Sequence, residues 1–451
     1  MSAANEELAQ RNTRLFVLWR LFFNCRFYYP VYAIMFLDYG LSMAEFAWLN
    51  AIWAGAIVLL EVPSGALADI VGRKALIVFA AVLMVVEMVI LASMPVGSPW
   101  LFAVFAFNRV LSGAAEAAAS GADEALAYDS LPEEGRERRW AKVNAGLMRW
   151  SSVVFFVTSV LGAVSYDPGW MTKLAGWLGL GWELEQSDTV RWPALLNCFT
   201  GVAALVVALR MRDPLPIQKG SASPVQEAFG QTFRTTKWVL RTPLVLILIA
   251  VGLTFDSIIR THLTLVSSYY RLVEIPEAFY GFLGAAASLI GLFIAGLSEK
   301  MHARLRPETN LGITALLTFL GLVGLSLAIP YWGVLMVIPV AFAMRFAMYF
   351  QTVYLNEATP SDRRATTLSI KGLSMNLAYG GATLLFGWQT AYLSGRVPVP
   401  EDGDQETAVF GEALTWWPWY FLVTVGLLFA FVRWQTKGEK IGELLKQKAN
   451  E

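Results

Sequence analysis

Several ionisable side chains sit inside long apolar runs of this sequence: Arg20, Arg26, Arg109, Arg149, Arg260, Arg345 and Lys371, with Glu61, Glu87, Glu116 and Asp256. A charge held in hydrocarbon costs a few kcal/mol or more, so each is a functional candidate by default. The bases outnumber the acids. Arginine's planar fork suits carboxylate or phosphate, so an unpaired arginine here would attract an anion. Arg26, within "NCRFYYPVY", is the first choice for a solute contact, with Asn24 and Tyr28 beside it and Pro30 expected to kink the run. Arg109, Arg149, Arg345, Tyr349 and Asn376 complete the expected substrate-binding set. Arg109, Gly113, Glu116, Ser120 and Glu124 recur every three or four residues, hence on one helical face. That face would line a cavity or pair with neighbouring helices. Asp256 and Arg260 are four apart and can pair within a helix, as a neutralised structural feature or as a titratable switch. A carboxylate that meets an arginine in one state and a proton in another is a coupling device. Asp256 and Glu116 are accordingly the expected proton sites, with Arg260 as the partner.

Such residues need helices that cross a membrane. With 56% hydrophobic and 16% charged residues, the chain is too apolar for a water-soluble globule. About twelve apolar stretches of roughly 20 residues or more match the ~30 Å hydrocarbon core. They lie near 14–37, 44–68, 75–95, 100–127, 140–165, 192–210, 243–268, 277–298, 310–329, 331–355, 364–393 and 415–434. Barrel strands would alternate in much shorter segments. The expected fold class is therefore an all-α polytopic membrane protein with 12 transmembrane helices. The first residues, "MSAANEELAQRNTR", are polar and read as a cytosolic tail, not a signal peptide. Of the 35 Lys and Arg, about 24 fall outside the spans on the side of that tail and about 4 on the other. This bias puts both termini in the cytoplasm.

Other chemistries find no support. Cys25, Cys198, His262 and His302 have no ligand spacing, so neither disulfide, metal nor cofactor is expected. There is no phosphate-binding Gly-x-x-x-x-Gly-Lys-Ser/Thr loop and no nucleophile–base spacing, which argues against a nucleotide-driven pump and against an enzyme. Net charge is zero, and no nucleic-acid partner is expected.

Six spans lie on each side of a polar segment containing Pro214, Pro216, Gly220 and Pro224. The expected division is a bundle over 1–210, a cytoplasmic linker over 211–242 with an amphipathic helix near 225–241, and a second bundle over 243–451. An internal echo supports duplication. "AYDSLPEEGRERRWAKVNAG" follows span four and "VYLNEATPSDRRATTLSIKG" follows span ten. In the second copy Thr359 suits a helix cap, Pro360 the first helical position and Asp362 the first turn. Ser42–Met43–Ala44–Glu45 reads as a capping box opening span two. "WMTKLAGWLGLGWEL" (170–184) is too short to span and suits a headgroup-level helix.

After span two comes "GALADIVGRK", with Gly65, Asp69, Gly72, Arg73 and Lys74. Gly65 would let a helix approach closely, Gly72 permits a tight turn, and Arg73 and Lys74 anchor the loop. This stretch resembles the signature loop of the major facilitator superfamily, except that Ile70 stands where a base is usual. "RVLSGAAEA", with Arg109, Gly113 and Ala117, resembles the family's arginine-bearing fourth-helix motif more loosely. The resemblance implies two six-helix bundles related by a pseudo-two-fold repeat. It also implies a latch in which Asp69 acts with the Thr359–Asp362 turn and Arg73 with Asp129 or Glu124. "GLSEKMHARLR" (296–306), the corresponding place in the second half, is degenerate, so the latch is expected to be one-sided.

The resemblance implies a secondary active transporter working by alternating access. Together with the embedded charges it predicts a monomer in a lipid bilayer moving a small organic, anionic or amphipathic solute with protons. The alternatives are a multidrug proton antiporter, which would need few embedded charges, and a non-transporting receptor or scaffold, for which a state-switching latch has no use. No Asn-x-Ser/Thr sequon occurs, which leans toward a bacterial inner membrane.

Overall fold

The computed structural model describes residues 3–214, 224–360, 363–400 and 404–449, and among them every regular element is helical. Nine stretches of the described residues are long and apolar enough to cross a membrane. The expected eighth and eleventh spans form helices Tyr280–Arg304 and Arg364–Ser394, of 25 and 31 residues. At 1.5 Å per residue both exceed the hydrocarbon thickness. The chain is an all-α, membrane-spanning protein.

The chain groups into two compact units. The first takes residues 1–41, 52–229 and 277–285, and the second takes 42–51, 230–276 and 286–451. In the first unit, rows of small residues let helices pack closely. Ala80, Ala81, Ala115, Ala118, Ala119, Ala204 and Ala208 surround Trp19 and Phe23 in one buried cluster. Gly113 contributes to this closeness, since a Cβ there would lie 2.6 Å from the Ala56 methyl.

Span one is broken, which the sequence reading did not foresee. Helix Ala3–Phe23 stops, a short 3₁₀ turn covers Tyr29–Val31, and helix Tyr32–Asp38 follows. Pro30 lacks an N–H and its ring excludes a helical carbonyl four residues back, so the expected kink becomes an interruption. Backbone groups freed within a membrane must find partners. Asn197 in span six supplies them: its Oδ1 accepts from Phe27 N at 2.8 Å and its Nδ2 donates to the Cys25 carbonyl at 2.5 Å. Gly162 completes the fit, because a Cβ there would fall 1.8 Å from the Phe27 carbonyl oxygen. Span four is also interrupted, between helices Leu101–Ala119 and Ala122–Asp129, where Gly121 has a φ of 75°. The single face expected from Arg109 through Glu124 therefore ends at Ser120.

In the second unit, helix Pro243–Thr264 continues after Leu265 as Val266–Leu272. It packs against Val337–Ala358, Arg364–Ser394 and Trp417–Thr436. The Ser42–Glu45 capping box forms as expected, with Ser42 N donating to Glu45 Oε2 at 2.9 Å and Glu45 N to Ser42 Oγ at 3.2 Å. The amphipathic linker helix runs Pro224–Arg241, with Arg363 over the Trp238 ring at 5.0 Å. Helix Pro168–Trp177 occupies the expected short segment, capped by Asp167.

Candidate functional site

The second unit collects a polar cluster along one stripe of span seven, where residues 256, 260 and 264 follow at helical spacing. Arg260 is its centre. Its guanidinium pairs with Asp256, donates to Asn376 Oδ1 at 2.9 Å and to the Met375 carbonyl at 3.0 Å. It also lies over the Tyr379 ring, 4.6 Å from the centroid. The Tyr379 hydroxyl is 3.1 Å from Thr264 Oγ1 and donates to Asn50 Oδ1 at 3.3 Å. Lys371 Nζ donates to Thr352 Oγ1 at 3.1 Å, close enough to act on the Asp256 charge. The Asp256 side chain is 6% exposed and that of Arg260 is 24%. Such a site can bind a proton at a carboxylate and present a partly open cation to an anion. Arg345, expected here, is exposed outside this cluster, and Tyr349 instead packs its ring against His302.

The first unit gathers a second, more deeply buried cluster. Arg26 Nη1 donates to Glu87 Oε1 at 2.7 Å, with the side chains 6% and 0% exposed. Asn108 Nδ2 donates to the Glu87 carbonyl at 2.6 Å, while its Oδ1 accepts from Arg109 Nη2 at 2.7 Å. Arg109 Nη1 reaches the Tyr32 hydroxyl at 3.1 Å. Arg26, the first choice for a solute contact, is thus committed to a buried carboxylate. Tyr28 is buried beside it, whereas Asn24, Glu116 and Arg149 are exposed and outside the cluster. The two buried arginines are those with partners in reach, Glu87 for Arg26 and Asn108 with Tyr32 for Arg109. Arg20 pairs with Asp123 and Glu124.

The turn after span two has Gly72 at a φ of 92°, a conformation that favours glycine. Beyond it Arg73 pairs with Asp129, and Lys74 N donates to Asp213 Oδ1 at 3.0 Å. The Asp69 side chain and all of Asp362 lie outside the described residues. Gly65 departs from the expectation: a Cβ there would meet nothing within 4 Å among the described residues. Thr359 departs from it as well. Its hydroxyl donates back to the Leu355 carbonyl at 2.6 Å, closing span ten, and the next helix starts only at Arg364. In the second unit His302 Nε2 sits 3.2 Å from Glu357 Oε1.

Asn108, Asn197, Thr352 and Tyr379 were not singled out from the sequence. For the two asparagines a signal existed, since an amide inside an apolar run such as "ALLNCFT" needs a partner.

The fold compares closely with solved transporters. A bacterial homolog of the human lysosomal transporter Spinster, in an inward-facing unoccupied conformation, superposes with a TM-score of 0.69 at 17% identity, over 97% of this chain and 98% of that one. A mutant of the nucleoside transporter NupG gives 0.70 at 12% identity, over 94% and 99%. A D-xylose–proton symporter gives 0.62 at 15% identity, over 95% and 99%. No curated protein matches the chain by sequence. The family model described as Major Facilitator Superfamily matches residues 15–383, most of the sequence. With twelve expected spans, a duplicated frame and this match, the chain belongs to the Major Facilitator Superfamily.

Proposed function

We propose that the chain is a secondary active transporter that moves a small organic, anionic or amphipathic solute by alternating access, coupled to protons. The observation that carries this reading is the Asp256–Arg260 pair on span seven, with Asn376 and Tyr379 holding the guanidinium from span eleven. A proton on Asp256 removes the negative charge facing Arg260, while Asn376 and the Met375 carbonyl keep the guanidinium in place. The arginine is then free to take a carboxylate or phosphate from the solute. Loss of the proton restores the internal pair and expels the anion. Solute and proton are thereby taken up together and released together. Membership of the family and the D-xylose–proton symporter among its structural relatives support this reading. The excess of lysine and arginine on one side supports cytoplasmic termini, and the lack of an Asn-x-Ser/Thr sequon fits a bacterial inner membrane.

The test uses purified protein in proteoliposomes with an imposed pH gradient and a panel of organic anions and cationic dyes. The expected result is gradient-driven accumulation of at least one anion, lost in Asp256→Asn while counterflow survives. Accumulation unchanged in Asp256→Asn removes the coupling role. Flux of dyes alone favours the multidrug antiporter, and no flux of any compound removes transport itself.

A further inference from the structure

The segment that follows span two and the last turn of the helix Tyr280–Arg304, span eight, are counterparts in the duplicated frame. Each carries a base that meets an acid at the end of the helix two spans further on. In the first unit this is Arg73 with Asp129, in the second His302 with Glu357. The two acids are about 228 positions apart and the two bases about 229, so a histidine occupies the place of the arginine. That exchange changes the physics. A guanidinium keeps its charge at every accessible pH, whereas an imidazole changes charge near neutrality.

We propose that His302 and Glu357 form a proton-binding site, separate from Asp256, that fastens the ends of spans eight and ten when His302 is charged. Nε2 of His302 faces the Glu357 carboxylate at 3.2 Å. Its Nδ1 is shielded from solvent and has no hydrogen-bond partner among the described residues, which leaves it as the atom that takes up the proton. The ring lies beside Tyr354 and Tyr349, at 5.4 and 6.5 Å between centroids. Asn310 Nδ2 holds the Tyr354 hydroxyl at 2.7 Å from span nine.

The other charged groups nearby are few. Glu308 on span nine acts on the Tyr354 hydroxyl and is itself held by Gly442 N at 2.7 Å. Glu443 is exposed on the terminal helix Ile441–Ala449, which packs on span ten. On the helix of His302, Glu299, Lys300 and Arg304 are exposed. Glu357 is therefore the carboxylate His302 meets directly. The histidine lies beyond the apolar run, on the side that the basic residues assign to the cytoplasm, so the site senses that compartment.

The sign is fixed by the charges. Acid converts the contact into an ion pair and draws the two helix ends together, and base loosens it. Both side chains are partly exposed, 30% and 45%, so the effect is modest. Hydrogen–deuterium exchange on the full chain in nanodiscs, corrected for intrinsic rates, reads it without any solute. Amides of 299–306 and 352–360 are expected to exchange about two- to five-fold more slowly at acidic than at mildly basic pH. His302→Arg should hold the slow rate at both. His302→Gln and Glu357→Gln should abolish the difference, and Asp256→Asn should keep it, which separates this site from the coupling pair. A wild-type rate that ignores pH, or a pH difference surviving either glutamine variant, overturns the proposal.

Discussion

The two halves of the chain each bury an arginine beside a carboxylate, and they do it in opposite ways. In the first unit Arg26 sits in the break of span one and Glu87 on the helix of span three; both are almost wholly inaccessible, and Asn108 holds the Glu87 carbonyl. In the second, Asp256 and Arg260 share one helix turn, and the arginine remains a quarter exposed over Tyr379. A pair that holds two elements together cannot be opened without loosening both. A pair within one helix can be opened while the helix stays intact. Burial and connectivity, not residue type, separate a structural bond from a working one.

The sharpest way to break this comparison is to remove one partner from each pair. Glu87→Leu strands a buried cation and should lower unfolding stability by about 3–5 kcal/mol, and Arg26→Met should restore most of it in the double variant. Denaturant titration of all three proteins in one detergent checks the cycle. Failure of the double variant to recover would mean that Arg26 has a role beyond the pair. Next in size come the groups that mend span one. Asn197→Ala leaves Phe27 N and the Cys25 carbonyl without their amide, and should cost about 1–3 kcal/mol in the same titration.

Asp256→Asn tests the other side of the contrast. Arg260 keeps Asn376, the Met375 carbonyl and the Tyr379 face, so the loss of stability should stay within about 1 kcal/mol. A loss as large as that of Glu87→Leu would make the two pairs alike. The smallest effect belongs to Gly65→Ala, expected to shift stability by no more than about 0.5 kcal/mol, because a methyl there meets open space. Gly162→Ala is its control at a crowded position and should unfold far more readily.

Much of this was legible in the residues. The apolar runs, their polar joints and the glycine turn at Gly72 reappear as helices and turns, since span length and turn chemistry are local properties. Asp256 and Arg260 were legible for the same reason, being one turn apart. The partner of Arg26 was not. Glu87 lies two spans away, and no periodicity links positions on separate helices. His302 was passed over because the stretch around it matches no motif, although Glu357 stood in the internal echo.

The sequence by itself determined the solvent of this protein, the number and order of its spans, the family motif and the within-helix pair. Those depend on hydropathy, charge and spacings shorter than one helix. Tertiary structure decided which buried charges are spoken for, where span one breaks and what the histidine at the end of span eight faces. Each depends on two helices distant in the chain meeting at one depth, and hydrogen bonds that are satisfied across such a contact leave no local mark.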